Sequence, residues 1–483
     1  MQGVHTVEEV RAAEEAVMSR LEPDALMLRA ASGLARTCAQ LLKAHVGGVY
    51  GARVVLLVGT GNNGGDALFA GALLARRGAV VQVIAAGARV HENGAEAAER
   101  AGCRLCSLDD AVQAIGSANL IVDGLLGIGG KGGLREPAAM LAEQATLSDA
   151  VVVAVDLPSG VDADTGRAGD DAVWADVTVT FGLMKPGLLL HPGALHAGLV
   201  ERVDLGLEDV AVVPSITCLE ATDIAALLPH PSPPDHKYSQ GVVGVAAGSS
   251  QYPGAAVLAV GGALHAKAGL VRYVGTAHHE VVTAWPSAIV SHESITAAGR
   301  VQAWAVGPGL GTDDSARKRL TEVLAEAVPV VVDADGLTLV ADTPDLVRQR
   351  TSVTVLTPHA TEFARLAPDL DAESDPLTAV RTLAARLECT VLLKGATTIV
   401  ADADGQVRLN LTGTPWLATA GSGDVLTGVL AAYLSAGLTA FDAASVAAFV
   451  HGLAGREAAG GAPITSFDLI AALPDAIRAV TRP

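Results

Sequence analysis

The chain has 483 residues, enough for about two to four domains at roughly 100–200 residues each. Its 33 Lys+Arg against 52 Asp+Glu leave a net charge of −19. With no basic blocks, that argues against a duplex-DNA or anionic-membrane surface, though not against small anionic ligands, which backbone N–H groups bind. Half the residues are hydrophobic and only 3% aromatic, with 53 glycines, so the core is Ala, Val and Leu, and stacking platforms for single-stranded nucleic acid are not expected.

His5 to Arg20 reads as an acidic helix, with no apolar region after a basic start, so a secretory signal is not expected. Short β-branched runs follow at Arg53–Val58, Val80–Ile84, Leu120–Asp123, Val151–Asp156 and Val177–Phe181. Between them lie helical stretches such as Asp66–Arg77 and Glu92–Ala101. Apolar strands alternating with helices predict a parallel sheet covered on both faces. Five cysteines form no disulfide framework and fit a reducing cytoplasm. Cys103 and Cys106 make one CxxC pair, without a second pair or a neighbouring His, so zinc is not expected.

The first strand runs into Gly59-Thr60-Gly61-Asn62-Asn63-Gly64-Gly65-Asp66. A glycine loop at a helix start frees N–H groups for phosphate. The dinucleotide fingerprint also wants an acid at the end of the second strand, where this chain has Ile84-Ala85-Ala86-Gly87, and no Walker loop is present. Asp123 ends a strand before the glycine-rich Gly127–Gly133, and Asp156 opens Asp156-Leu157-Pro158-Ser159-Gly160-Val161-Asp162. Strand ends of an open parallel sheet converge on one crevice. Asn63, Asp123 and Ser159 offer hard oxygens with one formal charge, which suits a weakly held monovalent cation better than a divalent one. Asp123 and Asp156 also read as helix caps or turn formers.

GNNGGD at Gly61–Asp66, the VDG…G loop at Val122–Gly133 and DLPSGVD at Asp156–Asp162 resemble the YjeF N-terminal domain, the NAD(P)H-hydrate epimerases, over about residues 1–215. The resemblance implies substrate contacts at Asn62, Asn63, Gly64, Gly65 and Asp66, at Gly127, Ile128, Gly129, Gly130, Lys131, Gly132 and Gly133, and at Asp156. It implies a potassium site at Asn63, Asp123 and Ser159, with Asp156 as the acid/base. Ala67 stands where the family usually has Gly.

Pro229, Pro231, Pro233 and Pro234 read as an irregular connector, with a domain boundary near 215–235. The alternation then restarts with Val242–Ala246, a helix Ala255–Lys267, Val301–Val306, Val330–Asp333, Val353–Leu356, Thr390–Leu393 and helices Asp424–Ala436 and Phe441–Ala459. The expected architecture is α/β with two domains, a Rossmann-like parallel-sheet domain and a second doubly wound one. The most membrane-like stretch, Val425–Phe441, is just short of the ~18 residues of a span and reads as a buried helix.

Gly421-Ser422-Gly423-Asp424 opens a helix with consecutive N–H groups at its positive end, an anion hole suited to a transferring phosphoryl group. Asp424 beside it either takes a proton from an attacking hydroxyl or caps the helix. Lys394-Gly395-Ala396-Thr397-Thr398 is a strand-end turn that would hold a nucleotide edge, or Lys394 is solvated. Gly307-Pro308-Gly309-Leu310-Gly311 is a tight turn that lets a ligand approach backbone, and His359 at a strand-to-helix turn reads as structural.

With His236-Lys237…Gly241 and Gly248-Ser249…Tyr252-Pro253-Gly254-Ala255, these motifs resemble the YjeF C-terminal domain, the ADP/ATP-dependent NAD(P)H-hydrate dehydratases, over about 220–483. A ribokinase-like fold is implied. So are substrate contacts at Ala255, Gly309, His359 and Asp424, and nucleotide contacts at Lys394, Gly395, Ala396, Thr397 and Thr398 and at Thr414, Pro415, Trp416, Leu417, Ala418, Thr419, Ala420, Gly421, Ser422 and Gly423. The sequence departs from the family at His359-Ala360-Thr361-Glu362 for HxGE, at GSGD for GTGD, and at Thr414-Pro415-Trp416 for Asn-Pro-Gly-Met. Epimerase followed by dehydratase implies a bifunctional cytoplasmic repair enzyme acting on hydrated NADH and NADPH with ADP, Mg²⁺ accompanying the nucleotide. No nucleic-acid or membrane partner is expected; a homo-oligomer is. A ribokinase-class small-alcohol kinase with a non-catalytic N-terminal binding domain is the second reading, and a non-catalytic scaffold the third.

Overall fold

The computed structural model describes residues 1–481 except Pro23, Lys131, Asp235, His292 and Glu293. The chain divides into two compact units, Gly3–Pro214 and a second made of Met1–Gln2 with the chain from Ser215 onward.

In the first unit, strands lie side by side in the order Arg104–Cys106, Val80–Ala85, Arg53–Val58, Leu120–Gly124, Val151–Val155, Val177–Phe181, Leu199–Val203, every pair parallel. Alternate residues of one strand feed different cores. Val54, Leu56 and Val58 pack with helices Ala25–Val46 and Asn62–Arg76, while Val55 and Leu57 pack with Ile115, Leu141 and Ala145 on the other face. This is the two-residue period of a sheet buried on both sides. The strand order reverses between Arg53–Val58 and Leu120–Gly124, so their C-terminal loops open a crevice there.

In the second unit the order from Ile216–Cys218 is Val407–Asn410, Thr398–Ala401, Thr390–Leu393, Thr354–Leu356, Val330–Val332, Ala303–Val306, Val242–Ala246, Leu270–Val274, Ile289–Ser291. Thr398–Ala401 is antiparallel to both neighbours, so the sheet is mixed where the alternation predicts parallel strands. Thr398, expected in a turn, opens that strand. The order reverses between Val242–Ala246 and Ala303–Val306.

Helix Ser422–Ser435 is buried along nearly its whole length, as expected of the apolar run after Asp424. It crosses helix Pro253–Ala266 at backbone contact: a Cβ on Gly428 would lie 2.0 Å from Ala259 O, and one on Gly262 2.3 Å from Val425 O. Among the described residues no helix is long and apolar enough to cross a membrane. The proline run follows helix Ala221–Leu227 and lies within the second unit, beyond the division at Ser215.

Candidate active sites

In the first unit only Gly59-Thr60-Gly61 of the glycine motif is a loop before the helix. The helix begins at Asn62, earlier than the expected Asp66, and Gly61 at its cap offers no side-chain hydrogen bond. The first-turn N–H groups are therefore free of a side-chain cap. Gly59 is pressed against the neighbouring loop: its N–H donates to Gly124 O at 3.0 Å, and a Cβ there would sit 1.8 Å from Leu125 O.

The three predicted cation residues come together. Asp123 is fully buried and Ser159 nearly so. Ser159 Oγ donates to Asp123 Oδ1 at 2.6 Å, and Ser159 N–H to Asp123 Oδ2 at 2.8 Å. Asn63 Nδ2 donates to Leu126 O at 3.2 Å and Val155 O at 2.5 Å, which draws the helix start onto the same loops. Burial, opposed by the Ser159 and Leu125 hydrogen bonds, lifts the Asp123 carboxyl to about 6.

Asp156 is not a helix cap. It sits at φ +67°, a conformation Asp tolerates better than most residues. Its Oδ1 accepts from Lys185 Nζ at 2.5 Å, Thr180 Oγ1 at 3.1 Å and Phe181 N–H at 3.1 Å. Lys185 is 1% exposed, and its ammonium also donates to Thr180 Oγ1 and Phe181 O. Sequence reading missed this lysine. Its signal was one cation among apolar neighbours in Gly182-Leu183-Met184-Lys185-Pro186, just past a strand end.

Asp66 joins the same group, buried, with Oδ1 lacking a hydrogen-bond partner among the described residues; burial first, then Asp156 and Glu14, push its pKa well up. Ile128, Gly129 and Gly130 line a cleft of about 490 Å³ together with Arg11 and Glu15 of helix Val7–Met18. Gly127 lies against Asn63, and Gly133 packs against Asp171 instead. Lys131 lies outside the described residues.

In the second unit Gly421 takes φ +86° and starts helix Ser422–Ser435 without a side-chain cap. Ser422 Oγ is committed to Leu417 O at 2.8 Å, so it too leaves the helix start open. His451 fixes the turn from behind: its Nε2 lies 2.9 Å from Ser422 O, and burial drives its pKa down to about 4, which leaves it neutral. Asp424 is the third residue of the helix rather than its cap. Burial, then the charge of Asp333, raise its carboxyl to about 7, while Lys394 pulls the other way.

Lys394 is not a solvated strand-end lysine. Its Nζ donates to Asp333 Oδ1 at 2.6 Å and lies 3.7 Å from Glu362 Oε2. Desolvation opposes its charge, but Asp333 and Glu362 outweigh that and raise its pKa. Asp333, 1% exposed, also accepts from Thr427 Oγ1 at 2.7 Å and so ties the central strand end to the Asp424 helix. It was not singled out from the sequence, where Val332-Asp333-Ala334-Asp335-Gly336 offers only a strand end followed by two acids.

His359 is the cap of helix Ala360–Leu366. Its Nδ1 accepts from Thr361 and Glu362 N–H at 3.1 and 3.4 Å, while its own backbone N–H donates to Glu362 Oε2 at 2.8 Å. Its strand-end bridge to Lys394 brings both to this site. Gly309, at φ +57°, lies against Ala255: a Cβ would sit 2.8 Å from Ala255 Cβ. A Cβ on Gly413 would be 3.4 Å from Ala396 O, so the stretch leading to Thr414–Gly423 adjoins the Lys394–Thr398 turn. Trp416 is 39% exposed in the short helix Pro415–Leu417.

A parallel α/β unit with a polar strand-end crevice, followed by an α/β unit in which a carboxyl, Asp424, sits in the first turn of a helix without a side-chain cap, defines a two-site enzyme of the ribokinase-like class in its second half. The family model described as YjeF-related protein N-terminus matches residues 23–187, and that described as NAD(P)H-hydrate dehydratase matches 243–474. The bifunctional NAD(P)H-hydrate repair enzyme Nnr of Mycobacterium tuberculosis is 49% identical over 92% of this chain and 92% of its own. That of Corynebacterium glutamicum is 35% identical over 100% of this chain and 98% of its own. A crystal structure of a ribokinase-like superfamily protein from Enterococcus faecalis superposes with a TM-score of 0.52 at 25% identity, covering 56% of this chain and 99% of that one. The chain belongs to the bifunctional NAD(P)H-hydrate repair enzyme family.

Proposed function

We propose that the chain restores hydrated NADH and NADPH, with one activity in each unit. The first unit interconverts the R and S hydrates, and the second dehydrates the S form using ADP. The observation that carries the reading is Asp424, a carboxyl lifted to about 7 at a helix start without a side-chain cap. In its ionised form it takes the proton of the substrate's C6 hydroxyl as that oxygen attacks the terminal phosphorus of ADP and the bond from that phosphorus to its bridging oxygen breaks, releasing AMP. The free N–H groups of the helix start stabilise the charge on the phosphoryl oxygens. Loss of phosphate from C6 with a proton from C5 then restores the C5=C6 bond, phosphate being a better leaving group than hydroxide.

Asp333, Asp335 and Glu362 all bear on Asp424 against the single charge of Lys394, an acid-rich setting that suits Mg²⁺ arriving with the nucleotide. The metal would neutralise phosphate charge. In the first unit Asp123 is a buried carboxylate bonded only to Ser159 and Leu125, with no cationic side chain paired to it among the described residues. That fits potassium held by Asn63, Asp123 and Ser159, which would brace the strand-end loops. The five cysteines are all unpaired, in keeping with a reducing cytoplasm.

The direct test supplies hydrated NADPH with ADP and Mg²⁺ and follows the reduced-nicotinamide absorbance. Recovery is expected. Formation of a lasting phosphoester without recovery would replace this reading with a ribokinase-class kinase.

A further inference from the structure

Helix Val7–Met18 carries a residue that its pattern does not explain. Val10 and Ala13 are buried in the first unit's core, and Val17 packs against it. Glu14 falls on the same stripe, four residues after Val10 and three before Val17, where helical spacing calls for an apolar side chain.

The start of this helix is pinned over the Asp156 site. Val4 bridges to Met184, the residue before Lys185, and His5 N–H donates to Met184 O at 2.8 Å. Val7 N–H donates to Asp164 Oδ1 at 2.8 Å. The charges that act on Glu14 are Asp156 and Lys185 from the strand-end loops, Arg11 from its own helix, and Asp66 across the site. Burial, then Asp156, raise its pKa; Lys185 and Arg11 oppose this. One carboxylate in an ion pair with lysine, beside carboxyls whose pKa burial raises, is an arrangement that separates base from acid.

We propose that Glu14 is a further catalytic residue of the first unit, the proton donor that works with Asp156. This rests on the epimerase reading above. The reacting carbon bears a hydroxyl and is bonded to ring N1. Glu14 gives its proton to the C6 hydroxyl as the C6–O bond breaks. Water leaves with that bond's electrons, and the N1 lone pair forms C6=N1. A second water adds to the opposite face; Asp156 takes its proton as the new C6–O bond forms and the C6=N1 electrons return to N1. The proton gained by Asp156 passes back to Glu14, so one water leaves, one enters, and no oxidant or reductant is needed.

The test is exchange between purified R and S hydrates of NADPH, measured first with the wild-type chain and then with Glu14→Gln and Glu14→Asp. Glu14→Gln should lower kcat by about 10²–10⁴-fold with KM within about threefold, and should abolish the high-pH fall in kcat. Glu14→Asp, which keeps the acid, should recover part of the rate and stands in if the Gln variant does not fold. A folded Glu14→Gln protein with wild-type kcat, or a loss confined to KM, overturns the role of Glu14 alone. Absence of exchange in the wild type overturns the epimerase reading with it.

Discussion

Asp424 carries a charge that its surroundings resist, and that resistance has two measurable consequences. Because burial and Asp333 lift the carboxyl to about 7, dehydration should rise with pH through that region as the base ionises. Asp424→Asn should lower dehydratase kcat by about 10²–10⁴-fold in a direct assay on S hydrate. Lys394→Met, which removes a nearby cation, should move the acidic limb to higher pH. The same charge weakens the fold. A carboxyl whose folded pKa exceeds its unfolded value loses stability as pH rises from the ordinary carboxylate range through the folded pKa, and that loss is complete above it. Asp424→Asn should therefore melt higher than wild type at about pH 8 and no higher at about pH 4, read by thermal unfolding at both. Asp424 was legible because glycines flank Ser422 just before it. Lys185 and Asp333 were not, since a lone lysine or strand-end aspartate takes its meaning from partners 29 and 61 residues away.

At the scale of elements, strands were read closely and helix starts were not. Arg53–Val58, Val177–Phe181, Val242–Ala246 and Thr390–Leu393 match their apolar runs residue for residue, because a strand buried on both faces ends where hydrophobicity ends. The helices at Asn62 and Ser422 begin inside glycine-rich motifs whose composition signals a loop. Helix Pro253–Ala266 likewise starts two residues before the expected Ala255. The antiparallel pair Thr398–Ala401 and Val407–Asn410 escaped notice because the first follows directly on the Lys394–Thr398 turn and the second, Val-Arg-Leu-Asn, is not a continuous apolar run. The clustering of strand-end loops leads to a prediction about the cation. Asp123→Asn keeps the shape and removes the charge, so it should weaken the response of epimerase activity and melting temperature to K⁺ while the fold persists. Titration with K⁺, Na⁺ and choline checks this; equal responses to all three would leave Asp123 and Ser159 as turn residues.

For the whole molecule, each unit contains its own core, its own strand-order reversal and its own lysine–aspartate ion pair. The two chemistries should therefore separate by mutation. Asp156→Ala should stop exchange between the hydrates and leave conversion of pure S hydrate within about twofold of wild type; a folded variant that loses both would show that the sites are coupled. The division into two α/β halves was visible in the restart of strand–helix alternation after the first sheet. The units divide at Ser215, the near edge of the expected 215–235 boundary, and the proline run lies beyond it, because irregular backbone marks a connector whether or not a unit ends there.

The glycines at the two strand-order reversals bear on how such a protein can change over generations. A Cβ at Gly59 would lie 1.8 Å from Leu125 O, and one at Gly307 1.9 Å from Asp333 O, in each case against main chain that has nowhere to go. Every single-base change of a glycine codon that still encodes an amino acid, apart from silent ones, introduces a Cβ. Both positions are therefore genetic dead ends, one in each half, that no gradual path through intermediate residues can cross. Adaptation to new substrates has to run through the residues around them, such as Thr60 and Leu310, while these two points of contact are inherited unaltered.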